Sequence, residues 1–152
     1  MIPLTLVVGL LVSVAGTAVV LASWYFHPET WIADATEGEQ KTPVTPATVS
    51  WTVLTFVVLI GGPVVAAWFA ATDHAANFGE RALVAYGVFV LFNLWDLIVI
   101  DIAIYVWLRP SWMTIEGVEI HEGYGMHVKG FLNGLAIGVP VALMAAAVSM
   151  LA

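Results

Sequence analysis

Four long runs of apolar residues, at about 2–26, 49–72, 82–108 and 130–152, alternate with three more polar connections along the 152-residue chain. A helix that crosses a bilayer needs roughly 20 predominantly apolar residues, so each run is long enough to span a membrane. The pattern predicts an all-α fold, a polytopic four-helix membrane bundle that forms one transmembrane domain over residues 1–152. An even number of spans places both termini on the same side of the cell membrane.

The third apolar run is interrupted by polar side chains at Asn93, Asp96 and Asp101. At about 100° per residue, these three positions fall within an arc of roughly 140° on one side of an α-helix. Tyr86 lies on the same side, and Tyr105 lies one turn beyond Asp101. An aspartate at the centre of a spanning helix costs roughly 2.5–3.5 kcal/mol on insertion scales. We therefore expect this polar stripe to face the bundle interior or a wet cavity.

Two explanations fit the polar stripe. A carboxyl group in a low-dielectric interior tends to hold a proton, which makes the stripe a candidate proton or cation site. Alternatively, neutral aspartic acids join helices through hydrogen bonds. Two acids and an amide in one span favour the functional explanation. His127 and Lys129 are expected to close the site from the side of the two long connections, and Lys129 pairs there either with Asp101 or with lipid headgroups.

Composition narrows the class of protein. The chain is 61% hydrophobic and 10% charged, which is typical of polytopic membrane proteins. It contains no cysteine, so disulfides and thiolate metal sites are excluded. Four Lys plus Arg against 11 Asp plus Glu give a net charge of −7, which argues against binding to nucleic acid. The expected partners are the lipid bilayer and a small solute, an ion or a lipid-soluble ligand.

Histidines and glutamates in and beside the two long connections form a second candidate site, for a metal ion. Its members are His27, His121, His127, Glu119 and Glu122. Imidazole and carboxylate are suitable ligands for zinc or iron. The spacing matches no fixed metal motif, however, and ordinary histidines in an acidic connection are the alternative. The sequence indicates no other cofactor.

Small residues recur one turn apart in three of the apolar runs. The stripes are Gly130, Gly134, Gly138, Ala142 and Ala146; Gly62, Ala66 and Ala70; and Gly9, Ser13 and Thr17. Such stripes let membrane helices approach closely. We expect them to pack helices within one bundle, and contact between copies in a homo-oligomer is the alternative. Trp95 lies opposite the polar stripe and is expected to meet lipid or a neighbouring subunit.

The segments NLWDLIVID and GYGMHVKGFLNG resemble a group of small prokaryotic four-span membrane proteins. In that group the third helix has an NLxDLLVLDW-type sequence, and the fourth begins with a GFHxRG-type sequence. The resemblance covers roughly the second half of the chain and includes Asn93, Asp96, Asp101, His127, Lys129 and Gly130, with lysine at position 129 where the group has arginine. It implies that these residues form one site, and it implies no activity.

Three functions are compatible with this sequence. The leading interpretation is proton-linked or cation-linked transport, or conduction, of a small solute. A second is a membrane-embedded enzyme that acts on a lipid-soluble substrate through aspartate acid–base chemistry. A third is a non-catalytic accessory subunit of a larger membrane complex. The surroundings of Asp96 distinguish them: transport requires a continuous wet path, an enzyme a closed pocket with a lateral opening to lipid, and an accessory subunit a packed interior.

Reporter fusions test the predicted topology. With four spans, fusions at Met1 and Ala152 should report the same side of the membrane, because each pair of spans returns the chain to its starting side. Opposite sides for the two ends would contradict the four-span prediction.

Overall fold

The computed structural model describes residues 2–36, 39–73, 77–118 and 123–151. These residues form helices and connections and contain no strand, which confirms the predicted all-α helical bundle. The helices are α1 (Ile2–Phe26), a short α2 (Ile32–Ala35), α3 (Pro46–Asp73), α4 (Phe78–Trp95), a π-helix (Asp96–Leu108) and α5 (Tyr124–Ser149), with 3₁₀ turns at Pro28–Trp31 and Ser111–Met113.

Three segments of the described chain are long and apolar enough to cross a membrane: Leu6–Phe26, Phe78–Leu108 and Tyr124–Ser149. Within the bundle only 28–33% of their most apolar windows is buried. The remaining apolar surface faces outward and needs an apolar environment. These helices are therefore compatible with an integral membrane protein. In α3 the apolar segment is shorter, Pro46–Gly62, and the count of four spans stays a prediction.

Helix ends are set by local capping. Thr45 and Thr48 cap the start of α3 reciprocally, each backbone N–H donating to the other side-chain oxygen at 2.9 and 3.1 Å. Asn77 and Glu80 form a capping box at the start of α4.

The last long helix begins at Tyr124, earlier than the predicted run at 130. His127 consequently belongs to the first turns of α5 and not to the preceding connection.

Two glycines of α5 lie in close contact with side chains of α4. A Cβ on Gly138 would lie 2.5 Å from Cδ1 of Phe89, and a Cβ on Gly134 would lie 2.0 Å from Oδ1 of Asn93. On the other side of α4, a Cβ on Gly16 of α1 would lie 2.5 Å from the ring of Phe92. These glycines thus receive side chains of α4 from within the same chain.

The helix that carries the two aspartates changes its winding at Asp96. From Asp96 to Leu108 it is a π-helix, in which hydrogen bonds join residues five apart. At its end the backbone N–H of Arg109 donates to the carbonyl of Ile104 at 2.9 Å. The assumption of 100° per residue was therefore wrong beyond Trp95. Because residues five apart lie about one turn apart in a π-helix, Asp96 and Asp101 lie closer to one face than predicted.

Trp95 does not point away from the rest of the chain. Its indole Nε1 donates a hydrogen bond of 3.0 Å to the hydroxyl of Thr17 in α1. A partly buried indole N–H needs an acceptor, and α1 supplies one. The ring itself is only partly buried, and its contact with lipid or another subunit stays a prediction.

The glycine contacts predict a matched pair of substitutions. Gly138→Ala should lower the free energy of unfolding by about 1–3 kcal/mol, because the new methyl group overlaps the buried ring of Phe89. Gly130→Ala is the control, since a Cβ added there would meet no neighbouring group within 4 Å, and it should leave stability unchanged or raise it by up to about 1 kcal/mol. Unfolding of the two purified variants in detergent measures the difference, and equal effects would contradict the packing described.

Candidate functional site

A cavity of about 670 Å³ lies between the long helices at the end where the two long connections cross the bundle. Helices α1, α3, α4 and α5 and the π-helix all contribute to its walls. Thr30, Trp31 and Thr42 line it from the first connection, and Met113 lines it from the second. Its volume falls within the range of about 300–1,000 Å³ that is usual for small-molecule sites.

Five of the seven residues predicted for the polar site line this one cavity: Asn93, Asp96, Asp101, Tyr105 and His127. Along the π-helix the lining positions are Asp96, Leu97, Ile100, Asp101 and Tyr105. They recur at intervals of four or five residues, which is the repeat expected of π winding. The change of helix type is thus what presents both carboxyl groups to the same space.

Asp101 and His127 form a pair across the π-helix and α5. Nδ1 of His127 lies 3.2 Å from Oδ2 of Asp101, and the two side chains are 7% and 27% exposed, His127 being the more buried. An ionised carboxylate only accepts hydrogen bonds, so Nδ1 carries the hydrogen when the imidazole is neutral. Nε2 of His127 is buried and has no hydrogen-bond partner among the described residues. This nitrogen is left to act as the acceptor for a further group.

Asn93 is held in place by contacts on both sides of its carboxamide. Nδ2 donates to the carbonyl of Phe89, one turn earlier, at 3.0 Å. The carboxamide also packs over Gly134, whose missing Cβ leaves the room that Oδ1 occupies. With one donor bond internal to α4, the amide is oriented before any ligand binds.

Two predicted site residues lie elsewhere. The hydroxyl of Tyr86 donates to the carbonyl of Leu135 at 3.4 Å, and its ring packs against a cluster formed by Ala85, Ala142 and Ala145. Tyr86 therefore contributes to the α4–α5 interface and not to the cavity wall. Lys129 is exposed on α5 and is not among the described residues that line the cavity.

Two tryptophans form a wall that the sequence reasoning did not assign to the site. Trp24 of α1 and Trp31 of the first connection stack with ring centroids 5.9 Å apart and an angle of 6° between their planes. Trp24 also contacts Tyr105, at 5.8 Å between centroids, and Tyr105 contacts the imidazole of His127 at 5.4 Å. Trp31 is fixed by a 2.8 Å hydrogen bond from Nε1 to the hydroxyl of Ser23.

The other half of the bundle is closely packed. Beyond Asn93, towards the start of α4, the side chains of Ala85, Val88, Ala145 and Ala146 are all 0% exposed. None of them lines the cavity. The described part of the chain therefore encloses a pocket that extends to one end of the bundle.

The residues of the predicted metal site are only partly described. His121, Glu119 and Glu122 lie outside the described residues. His27 donates to Glu29 at 2.9 Å, whereas His127 is paired with Asp101. Burial raises the pKa of Glu29, but the hydrogen bond from His27 and a backbone N–H hold it below its ordinary value of 4.5. No three metal-binding side chains converge within the described residues, and the metal ion stays a prediction.

Comparison of the chain with protein-family models, with curated proteins and with solved structures finds no match. The resemblance to small four-span prokaryotic proteins therefore stays an expectation, and the site is interpreted from its own geometry.

The Asp101–His127 pair predicts a specific tautomer. In nitrogen NMR spectra of protein labelled at histidine, neutral His127 should carry its hydrogen on Nδ1, because Asp101 accepts from that atom. Asp101→Leu removes the acceptor and should shift the signal towards the Nε2–H form. The signals of the other three histidines serve as internal controls, and His127→Gln assigns the resonance. A wild-type spectrum with Nε2–H at His127 would contradict the pairing.

Proposed function

We propose that this protein carries out proton-linked transport of a small solute, which binds in the cavity beside Asp96 and Asp101. The observation that carries the proposal is the presence of two carboxyl groups and an imidazole in the wall of one cavity within an apolar helical bundle. Ionisable side chains inside membrane helices are rare, and they mark ion, proton or substrate pathways in transport proteins.

The chemistry of the wall supports coupling between a solute and protons. Asp101 and His127 are within hydrogen-bonding distance, so a proton can be shared between them or passed along the pair. Asp96 lies about one π-turn away in the same wall. A solute that interacts with either carboxylate changes the balance between its charged and neutral forms, and this links binding to the uptake or release of a proton.

The shape of the cavity favours transport by rearrangement over conduction through a fixed pore. The described lining residues end near Asn93, and the half of the bundle beyond it is filled by small apolar side chains. A solute bound beside Asp96 would leave on the opposite side only if α4 and α5 separated there. The cavity also argues against a purely accessory subunit, since that function predicts a packed interior around Asp96.

Membrane-embedded catalysis is a second candidate, and the Asp101–His127 geometry favours it. A carboxylate that orients one imidazole nitrogen leaves the other nitrogen as a general base or acid. In this chain Nε2 of His127 is that nitrogen, and its ring lines the cavity. Catalysis and transport differ in outcome, because only catalysis changes the covalent structure of a lipid-soluble substrate.

The experiment combines two measurements on protein in liposomes. Infrared spectra between acidic and neutral pH should contain a carboxyl band that disappears in Asp96→Asn, which preserves the shape of the side chain and removes its titration. Currents on a solid-supported membrane should then show charge movement for at least one member of a panel of cationic, neutral and anionic solutes. That current should depend on a pH gradient and fall by about tenfold or more in Asp96→Asn.

Glu116→Gln provides the control, because Glu116 is exposed in a turn and does not line the cavity. It should leave both signals unchanged. A wild-type protein that moves no solute of the panel, and whose carboxyl bands match those of Asp96→Asn, would overturn the transport proposal. Mass spectrometry of a lipid extract incubated with the protein then tests catalysis, which predicts a product that His127→Gln fails to form.

A further inference from the structure

The walls of the cavity combine aromatic rings with acidic groups. Six aromatic residues line it: Trp24, Trp31, Phe56, Phe92, Tyr105 and Phe131. Asp96 and Asp101 line the same space, and no lysine or arginine is among its described lining residues. The described wall therefore offers acidic groups and the electron-rich faces of aromatic rings, and it offers no lysine or arginine.

This combination selects for a particular class of ligand. A cation close to an aromatic face gains about 0.5–2 kcal/mol, and more of this is realised where water is excluded. An anion would meet two carboxyl groups and, among the described lining residues, neither lysine nor arginine, which is costly in a low-dielectric site. A small inorganic cation prefers a shell of oxygen ligands, whereas most of this wall is carbon.

Volume gives a second, independent constraint. A cavity of about 670 Å³ is large enough for a drug-sized molecule, and it is far larger than a bare metal ion requires. Its apolar positions, among them Val20, Leu97 and Ile100, would be left in contact with water unless the ligand had an apolar body to cover them. A charged head on an apolar body satisfies both parts of the wall.

We propose that the cavity binds an organic cation with an apolar body, such as a quaternary ammonium or phosphonium ion, beside Asp96. The proposal rests on the proposed function, for which it names the substrate class. Asp96 lies one turn beyond Phe92 and both residues line the cavity, so a cation beside this carboxyl group can also contact an aromatic face, and Asp96 is the acidic residue that we assign to the cation. The buried Nε2 of His127 stays at the wall to accept a hydrogen bond when the ligand carries an N–H group.

The test uses two probes of the same shape and opposite charge. Full-length protein purified in detergent is titrated with tetraphenylphosphonium, and tetraphenylborate is the matched anion. In separate titrations, binding of the phosphonium should be saturable and should persist in a large excess of potassium ions, whereas tetraphenylborate should show no saturable binding. Asp96→Asn should weaken it by about tenfold or more, and Glu116→Gln should leave it unchanged.

Each result decides the proposal. Equal binding of both probes, displacement by potassium, or wild-type affinity in a folded Asp96→Asn variant would overturn the assignment of an organic cation. The comparison of the two probes on the wild-type protein keeps the test valid if the variant does not fold. If the phosphonium fails to bind while another solute still gives a proton-dependent current, the substrate class is wrong and the transport function stands.

Discussion

The structure depends on the close approach of α4 and α5. In a bilayer no hydrophobic force drives helices together, so association relies on packing and on hydrogen bonds between helices. Gly138 receives the ring of Phe89, and Gly134 receives the carboxamide of Asn93. Both contacts need a residue without a side chain on α5. These contacts hold the polar part of the third apolar segment against α5. One to two turns further along, His127 of α5 contacts Asp101.

The change to π winding at Asp96 decides what the cavity contains. Long π-helices are rare, and short ones are frequent at functional sites, because the wider turn redirects side chains at a cost in backbone hydrogen-bond geometry. Here the wider turn places Asp96, Ile100, Asp101 and Tyr105 on the cavity side. The segment ends at Arg109, which has a left-handed backbone with φ of 40° before Pro110, and this stops the helix near the second connection.

The sequence predicted the helices and most of the polar wall because both depend on strong local signals. Long apolar runs define helices, and charged groups inside such a run must face inward. Other features depend on tertiary packing. The apolar runs are hydrophobic on all sides, so periodicity could not predict which neighbours Tyr86 and Trp95 contact. No sequence pattern predicted the π winding. The burial of Trp24 could not be predicted either, because it depends on how the first connection folds and brings Trp31 over it.

The bundle has a packed half and a half that contains the cavity. The helical segment formed by α4 and the π-helix runs through both halves. Towards its start, α4 contributes the fully buried Ala85 and Val88, and Ala85 packs in one cluster with Ala142 and Ala145 of α5. Past Asn93, large aromatic side chains keep the helices apart and leave the cavity between them. The cavity half also contains a buried apolar cluster, formed by Val20, Trp24, Ile100, Tyr105 and Met113, so its space and acidic groups lie beside well-packed side chains. Any movement that opened the packed half would have to separate the glycine contacts, so the residues that stabilise the bundle are also those that would control passage through it.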